Sequence, residues 1–74
     1  MIDLKAMRAA AGLSRQEVAD ELGFSERSGA ISVAQMEGRD DWLVSRLTAY
    51  IEALGGTAEL VVNVNGKRLR FNLL

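Results

Sequence analysis

The sequence contains no cysteine, no histidine and no proline, and only 5% of its 74 residues are aromatic. The absence of cysteine excludes disulfides and thiolate nucleophiles, and the joint absence of cysteine and histidine excludes zinc fingers and histidine general bases. The remaining candidates for catalysis are the adjacent carboxylates Asp40 and Asp41. Acidic residues just before an apolar periodic stretch are typical of a helix N-cap. We therefore expect them to cap a helix, and we predict a protein that is not an enzyme and uses no metal or cofactor.

Long hydrophobic runs are also absent. No apolar run approaches the roughly 18 residues of a membrane span, and no signal-peptide pattern opens the chain. We thus expect a cytoplasmic protein without a membrane partner. A chain of 74 residues is predicted to form one domain, near the size at which a single core is marginally stable, and this favours oligomerisation.

Positive charge is scarce in the first three quarters of the chain. Residues 1–56 carry six basic and nine acidic side chains, a balance of −3, whereas residues 57–74 carry three basic side chains and one acidic side chain, a balance of +2. A nucleic-acid-binding surface in such a chain must place its few arginines locally, because the overall field does not attract a polyanion.

What the sequence does contain is helical periodicity. Asp3 precedes a predicted helix over residues 4–11, and Ser14 with Glu17 forms the capping box of a second helix over residues 15–22. A third helix is predicted from Gly29 or Ala30 to Glu37, with Ser28 as its cap.

The strongest periodicity follows Asp40 and Asp41, where an apolar stripe predicts a fourth helix that ends at Gly55 and Gly56. Phe24 comes directly after the turn glycine Gly23, and we expect it in the core.

After these glycines the pattern changes to the alternation of a β-hairpin. Asn65-Gly66 between two apolar runs predicts a type I′ turn, which pairs Leu60 with Phe71 and Val62 with Leu69. A lone hairpin is marginally stable in water, so this one must cover its own helices, pair with a partner's hairpin, or do both. We predict dimerisation through its apolar residues, namely Leu60, Val62, Leu69, Phe71 and Leu73.

Two stretches resemble a known family. The pattern RxxxGLSxxxVAxxLGxS, from Arg8 to Ser25, resembles the helix-turn-helix of Xre/Cro (lambda-repressor-like) regulators. The run ALGGTAELVV, from Ala53 to Val62, resembles the tail of small Xre-type antitoxins of toxin–antitoxin operons. Together the two matches contain 28 of the 74 residues and extend from Arg8 to Val62.

The resemblance implies a mainly α fold, with a lambda-repressor-like four-helix bundle over residues 1–56 and a β-hairpin over residues 57–74. In the relatives, the arginine at the position of Arg8 pairs with a helix-3 glutamate, which corresponds to Glu37 here. One departure lies within residues 25–30, where this chain is about four residues longer than the common helix-turn-helix pattern.

The resemblance also implies that the third helix reads double-stranded DNA. Gln35 can bond adenine bidentately, Ser32 can bond either base type, and Arg39 prefers guanine or phosphate; the alternative is a merely polar outer face. Arg15 is expected to contact a phosphate or point to solvent, and the same two alternatives apply to Arg27. The predicted DNA-binding residues are Arg15, Gln16, Arg27, Ser28, Ser32, Gln35 and Arg39.

The functional hypothesis is a sequence-specific repressor that binds a palindromic operator as a homodimer. The resemblance adds that it is the autoregulating antitoxin of a two-gene operon, with a toxin protein as a further partner. The alternative hypothesis is a protein-interaction module with little or no specific DNA binding, which the acidic balance of residues 1–56 favours.

Overall fold

The computed structural model describes residues 2–74, and within them the chain forms four helices followed by a two-stranded antiparallel sheet. The predicted fold class is confirmed. The elements in chain order are α1 (Leu4–Ala11), α2 (Arg15–Glu21), α3 (Gly29–Glu37), α4 (Val44–Ala53), β1 (Glu59–Val64) and β2 (Lys67–Asn72).

The first two helices begin where their caps were predicted. The carboxylate of Asp3 accepts a hydrogen bond from the backbone N–H of Ala6 at 3.0 Å. Ser14 Oγ accepts from the N–H of Glu17 at 3.1 Å, and the Glu17 carboxylate accepts from the N–H of Ser14 at 3.0 Å. These reciprocal bonds satisfy two donors that a helix start leaves free. Gly23 follows α2 with a φ of 77°, a left-handed conformation that favours glycine and turns the chain towards α3.

The core lies where the four helices meet. Each helix contributes one or two fully buried side chains to the core, and half-buried residues such as Leu47 and Leu54 surround them. The buried members are Leu4, Val18, Ala19, Val33 and Tyr50. Leu4, Val18, Ala19 and Val33 lie on the apolar faces that helical periodicity predicts, whereas Tyr50 lies beside the apolar stripe of α4.

The start of α4 corrects a prediction. Leu43, rather than Asp40 or Asp41, occupies the N-cap position, and no side chain caps this helix. Trp42 explains the later start, because its indole N–H donates to the carbonyl oxygen of Met36 at 3.0 Å while its ring packs against the core. Anchoring of this residue at the end of α3 keeps the preceding chain out of helical geometry.

The connection between α2 and α3 corrects the prediction for Phe24, and it confirms the N-cap position of Ser28 but not a capping hydrogen bond. Phe24 was expected in the core, but its side chain is 38% exposed on the molecular surface. Ser28 holds the N-cap position of α3, yet its hydroxyl makes no capping hydrogen bond. In its place the N–H of Gly29 donates to the carbonyl oxygen of Ser25 at 2.7 Å, so a tight backbone turn starts the helix.

The hairpin has the predicted register. Leu60 pairs with Phe71 and Val62 with Leu69, and a backbone bond of 3.0 Å from Leu73 N–H to the Ala58 carbonyl extends the ladder beyond the strands. Asn65 and Gly66 have φ values of 55° and 77°, as a type I′ turn requires.

The hairpin strands pack mainly against each other, and the molecule measures 49 × 22 × 20 Å, so the hairpin projects from the helices. No helix within residues 2–74 combines the length and apolarity that a bilayer crossing needs.

Candidate nucleic-acid interface

Helices α2 and α3 approach each other very closely at one point. Gly29 is buried against Ala19, and a Cβ atom added at Gly29 would lie 2.7 Å from the Cβ atom of Ala19 and 3.3 Å from that of Phe24. Only a residue without a side chain fits there. This contact fixes where α3 begins relative to α2, although the connecting segment is longer than in the family pattern.

The other end of α3 is held by a buried carboxylate. Glu37, whose side chain is 4% exposed, accepts hydrogen bonds from Arg8 Nε at 2.6 Å, from Arg15 Nε at 3.0 Å and from the Tyr50 hydroxyl at 2.8 Å. The Tyr50 hydroxyl also lies 3.2 Å from the carbonyl oxygen of Leu4, and Arg8 Nη1 donates to the carbonyl oxygen of Leu13 at 3.0 Å. One carboxylate thus ties α1, α2 and α4 to the end of α3.

The hydrogen bonds of this network shift the pKa values of its members. Burial would raise the pKa of the Glu37 carboxyl, but the hydrogen bonds from Arg8, Tyr50 and Arg15 outweigh it and hold that pKa below its usual value. Burial and the hydrogen bond to Glu37 raise the pKa of the Tyr50 phenol, and the hydrogen bond with Glu37 raises that of Arg8. At neutral pH the network therefore contains one carboxylate, two guanidinium groups and a neutral phenol, a net charge of +1.

Arg15 is both a structural and an accessible side chain. It is 41% exposed and uses only Nε in its bond to Glu37, so Nη1 and Nη2 make no hydrogen bond within residues 2–74. A guanidinium with two free terminal nitrogens can grip a phosphate bidentately. The sequence predicted the location of this arginine but not its bond to Glu37.

Three of the predicted DNA-binding residues share one open groove beside α3. Ser32, Gln35 and Arg39 line this groove of about 540 Å³, together with Phe24, Met36, Trp42, Leu43 and Arg46. Neither Arg39 nor Arg46 forms an ion pair with an acidic side chain of residues 2–74. The groove therefore combines free positive charge with amide and hydroxyl groups.

The outward face of α3 is defined by two residues one turn apart. Ile31 is 63% exposed, and Gln35, four positions later, is exposed on the same side of the helix. Ser32 is half-buried at the groove wall and is thus less prominent than predicted. An amide and a β-branched side chain at this spacing can contact neighbouring base pairs, since glutamine bonds adenine and apolar groups contact the thymine methyl.

The remaining predicted residues lie apart from that groove. Gln16 donates from its amide to the carboxylate of Asp20 at 2.9 Å, within α2. Arg27 and Ser28 are exposed in the turn before α3, where the Arg27 backbone N–H donates to Ser25 Oγ at 3.1 Å. The predicted dimerisation residues lie on one face of the projecting hairpin.

Sequence reasoning missed Tyr50, Ile31 and Arg46. Tyr50 lies beside the apolar stripe of α4, and nothing in its local sequence indicates a hydrogen bond to Glu37, 13 positions earlier. Ile31 is an apolar residue on the otherwise polar outer face of α3. Its position, off the face that carries the buried Val33, was the sequence feature that could have identified it. Arg46 reaches the groove only because α4 starts beside the end of α3.

Comparison with known proteins adds one similarity. No family model matches the chain, and no curated protein matches it. Among solved structures it is similar to a HigA antitoxin, described for DNA bending induced by that antitoxin's unique dimerization. The similarity has a TM-score of 0.75 and 29% sequence identity, and it covers 93% of this chain and 90% of that one. It includes the four helices and the C-terminal hairpin.

Proposed function

We propose that this chain is a sequence-specific, DNA-binding transcriptional repressor that acts as a homodimer. The observation that carries the proposal is the outward face of α3, where Ile31 and Gln35 project from a helix that is fixed at its start by Gly29 and at its end by Glu37. The similarity to a HigA antitoxin supports it.

The mechanism separates base reading from phosphate binding. With α3 in the major groove, the Gln35 amide bonds adenine and the Ile31 side chain contacts a thymine methyl, so A·T pairs are favoured. Arg15 grips a phosphate through Nη1 and Nη2, while Arg39 and Arg46 contact the backbone beside α3. Few phosphates are held by each copy, because residues 1–56 carry a net charge of −3.

Because one copy contacts few phosphates, its affinity for DNA is low, and tight binding requires a dimer. Linked binding of two copies raises affinity by about 10²–10⁴-fold without any new kind of contact. Recognition helices held about 34 Å apart, one turn of DNA, match a palindromic operator. We further propose that the chain is an antitoxin that represses its own operon and binds the cognate toxin.

The test is a fluorescence-anisotropy titration against DNA from upstream of the protein's own gene and against a shuffled duplex. Gln35→Ala should cost about 1–3 kcal/mol on the operator and leave shuffled DNA unaffected. Arg15→Ala should weaken both and make the log–log salt slope shallower by about 0.9. Asn63→Ala, on the polar face of the hairpin, serves as the control and should bind like the unmodified protein. Equal affinity of the unmodified protein for both duplexes would refute sequence-specific binding.

A second candidate function is that of a protein-interaction module. It is favoured by a surface cleft of about 420 Å³ between α2 and α4, which four acidic side chains line and which repels DNA. These are Glu17, Asp20, Glu21 and Glu52. The same titration separates the candidates, because a module without a phosphate-binding surface shows no salt-dependent DNA affinity.

A further inference from the structure

The hairpin has an apolar face that the helices of its own chain leave about half exposed. Val64, Leu69 and Phe71 point to the same face and are 46–54% exposed. Val62, on the same face, is half-buried. A two-stranded hairpin is marginally stable by itself in water, so an apolar face of this kind requires cover.

A matching concave surface lies at the base of the same hairpin. A groove of about 700 Å³ separates α1 and α4 from the first residues of β1, and its walls are mainly apolar. Met7, Ala10 and Leu47 form its helical wall. The chain's own hairpin contributes Ala58, Leu60 and Leu73 to the other wall, while its distal residues pass beyond the groove.

We infer that the hairpin of a second copy fills this groove, so that each hairpin lies across the α1–α4 face of its partner. A two-fold axis makes the exchange reciprocal, and it covers both the exposed hairpin face and the open groove in one isologous interface. This inference rests on the proposed homodimer and adds the surface through which it forms. Edge-to-edge pairing of the two hairpins, the other route to a dimer, would leave both grooves open.

Charge complementarity supports the same occupant. Lys67 and Arg68 lie at the tip of the hairpin, whose segment, residues 57–74, carries +2 against −3 for residues 1–56. Leu54 lines both the apolar groove and the acidic cleft that contains Glu52. A hairpin that crosses the groove towards Leu54 therefore brings its cationic tip to the acidic cleft of the partner.

The first experiment places a charge in the groove. Ala10→Glu alters an exposed α1 residue that lines the groove, and Ala9→Glu is its matched control, exposed on the same helix but outside the groove. In light scattering we expect Ala10→Glu to raise the dimer dissociation constant at least tenfold and Ala9→Glu to leave it unchanged. Circular dichroism verifies that both variants are folded. A folded Ala10→Glu protein that dimerises like the unmodified chain would overturn the inference.

The second experiment uses the absence of cysteine. Protein carrying Leu69→Cys is mixed with protein carrying Ala10→Cys and treated with a short bismaleimide. We expect a mixed cross-linked dimer, because the hairpin of one copy lies in the groove of the other. Cross-linking of Leu69→Cys to itself, without a mixed product, would mean that hairpin pairs with hairpin and would overturn the inference.

The third experiment tests the charge pairing. Lys67→Glu should weaken the dimer several-fold, and the added change Glu52→Lys should restore part of the loss; Lys5→Glu makes the same charge change outside the groove and is the control. No rescue by Glu52→Lys would contradict the placement of the tip.

DNA binding is measured separately on each variant. If Ala10→Glu weakens the dimer but the unmodified protein does not bind DNA, only the proposed function is refuted. If the protein binds DNA as a dimer and Ala10→Glu does not weaken that dimer, only this inference is refuted.

Discussion

The buried carboxylate of Glu37 should be a principal determinant of stability. It accepts hydrogen bonds from three donors on three other helices or their ends, and its side chain is almost wholly inaccessible. Glu37→Ala would leave the Arg8 guanidinium without its carboxylate and the Tyr50 hydroxyl with only the Leu4 carbonyl. Breaking a buried pair by removing one partner costs about 3–5 kcal/mol, so we expect a loss near 4 kcal/mol.

Truncation of Arg8, the partner of Glu37, should lower the free energy of unfolding by less than truncation of Glu37. In Arg8→Ala the Glu37 carboxylate retains the bonds from Arg15 and Tyr50, so we expect a loss of about 2 kcal/mol. A domain of this size has a total stability of about 4–11 kcal/mol at 0.05–0.15 kcal/mol per residue, so either loss is a large fraction of it.

Urea denaturation followed by circular dichroism measures both losses. Protein concentration must be constant, because a dimer couples stability to concentration. The double variant with Arg8→Ala and Glu37→Ala should be more stable than the sum of the single losses implies, since the two residues interact directly. Arg46→Ala, which removes an arginine without an ion pair within residues 2–74, should change stability by less than about 0.5 kcal/mol. Single variants of Arg8 and Glu37 with unchanged midpoints would refute the reasoning.

Three further predictions follow from the same contacts. Gly29→Ala should cost about 1–3 kcal/mol, because the new methyl group meets Ala19 at 2.7 Å; denaturation shows the loss, and an unchanged midpoint would mean that the helices separate freely. Tyr50→Phe should cost about 0.5–1.5 kcal/mol by the same assay, the usual contribution of one hydrogen bond, and no loss would remove the phenol from the network. Because the pKa of Glu37 is lowered by folding, its contribution is complete above the unfolded value of about 4.3 and is lost as pH falls through the lower folded value. The stability difference between the unmodified protein and Glu37→Gln should therefore shrink below about pH 4.3, and a constant difference down to pH 2 would contradict this sign.

Local sequence signals predicted the elements that depend on neighbouring residues. The capping box at Ser14 and the Asn65-Gly66 turn each fix their geometry within a few residues, and both are found as predicted. The register of the hairpin then follows from the turn alone, because a two-residue loop leaves a single pairing.

The predictions that were wrong depend on contacts between elements. Asp40 and Asp41 have the chemistry of an N-cap, but Trp42 is held by the Met36 carbonyl and delays the start of α4. Phe24 follows a turn glycine, as a core residue often does, yet it lies with Met36 and Trp42 in the wall of the open groove beside α3 and is 38% exposed. Neither contact is encoded by periodicity, since each joins residues five or more positions apart.

Arg15 shows why residue type alone does not define a site in this chain. An arginine whose terminal nitrogens are all paired with carboxylates has no donors left for a phosphate. In this chain the charge of Glu37 is balanced by that of Arg8. The hydrogen bond from Arg15 Nε to Glu37 therefore orients the Arg15 guanidinium, and the network retains a net charge of +1. The free Nη1 and Nη2 atoms then lie at the start of α2 in a fixed direction. If the proposed function is correct, an acidic chain can in this way present a preorganised positive group to a phosphate without a net positive charge.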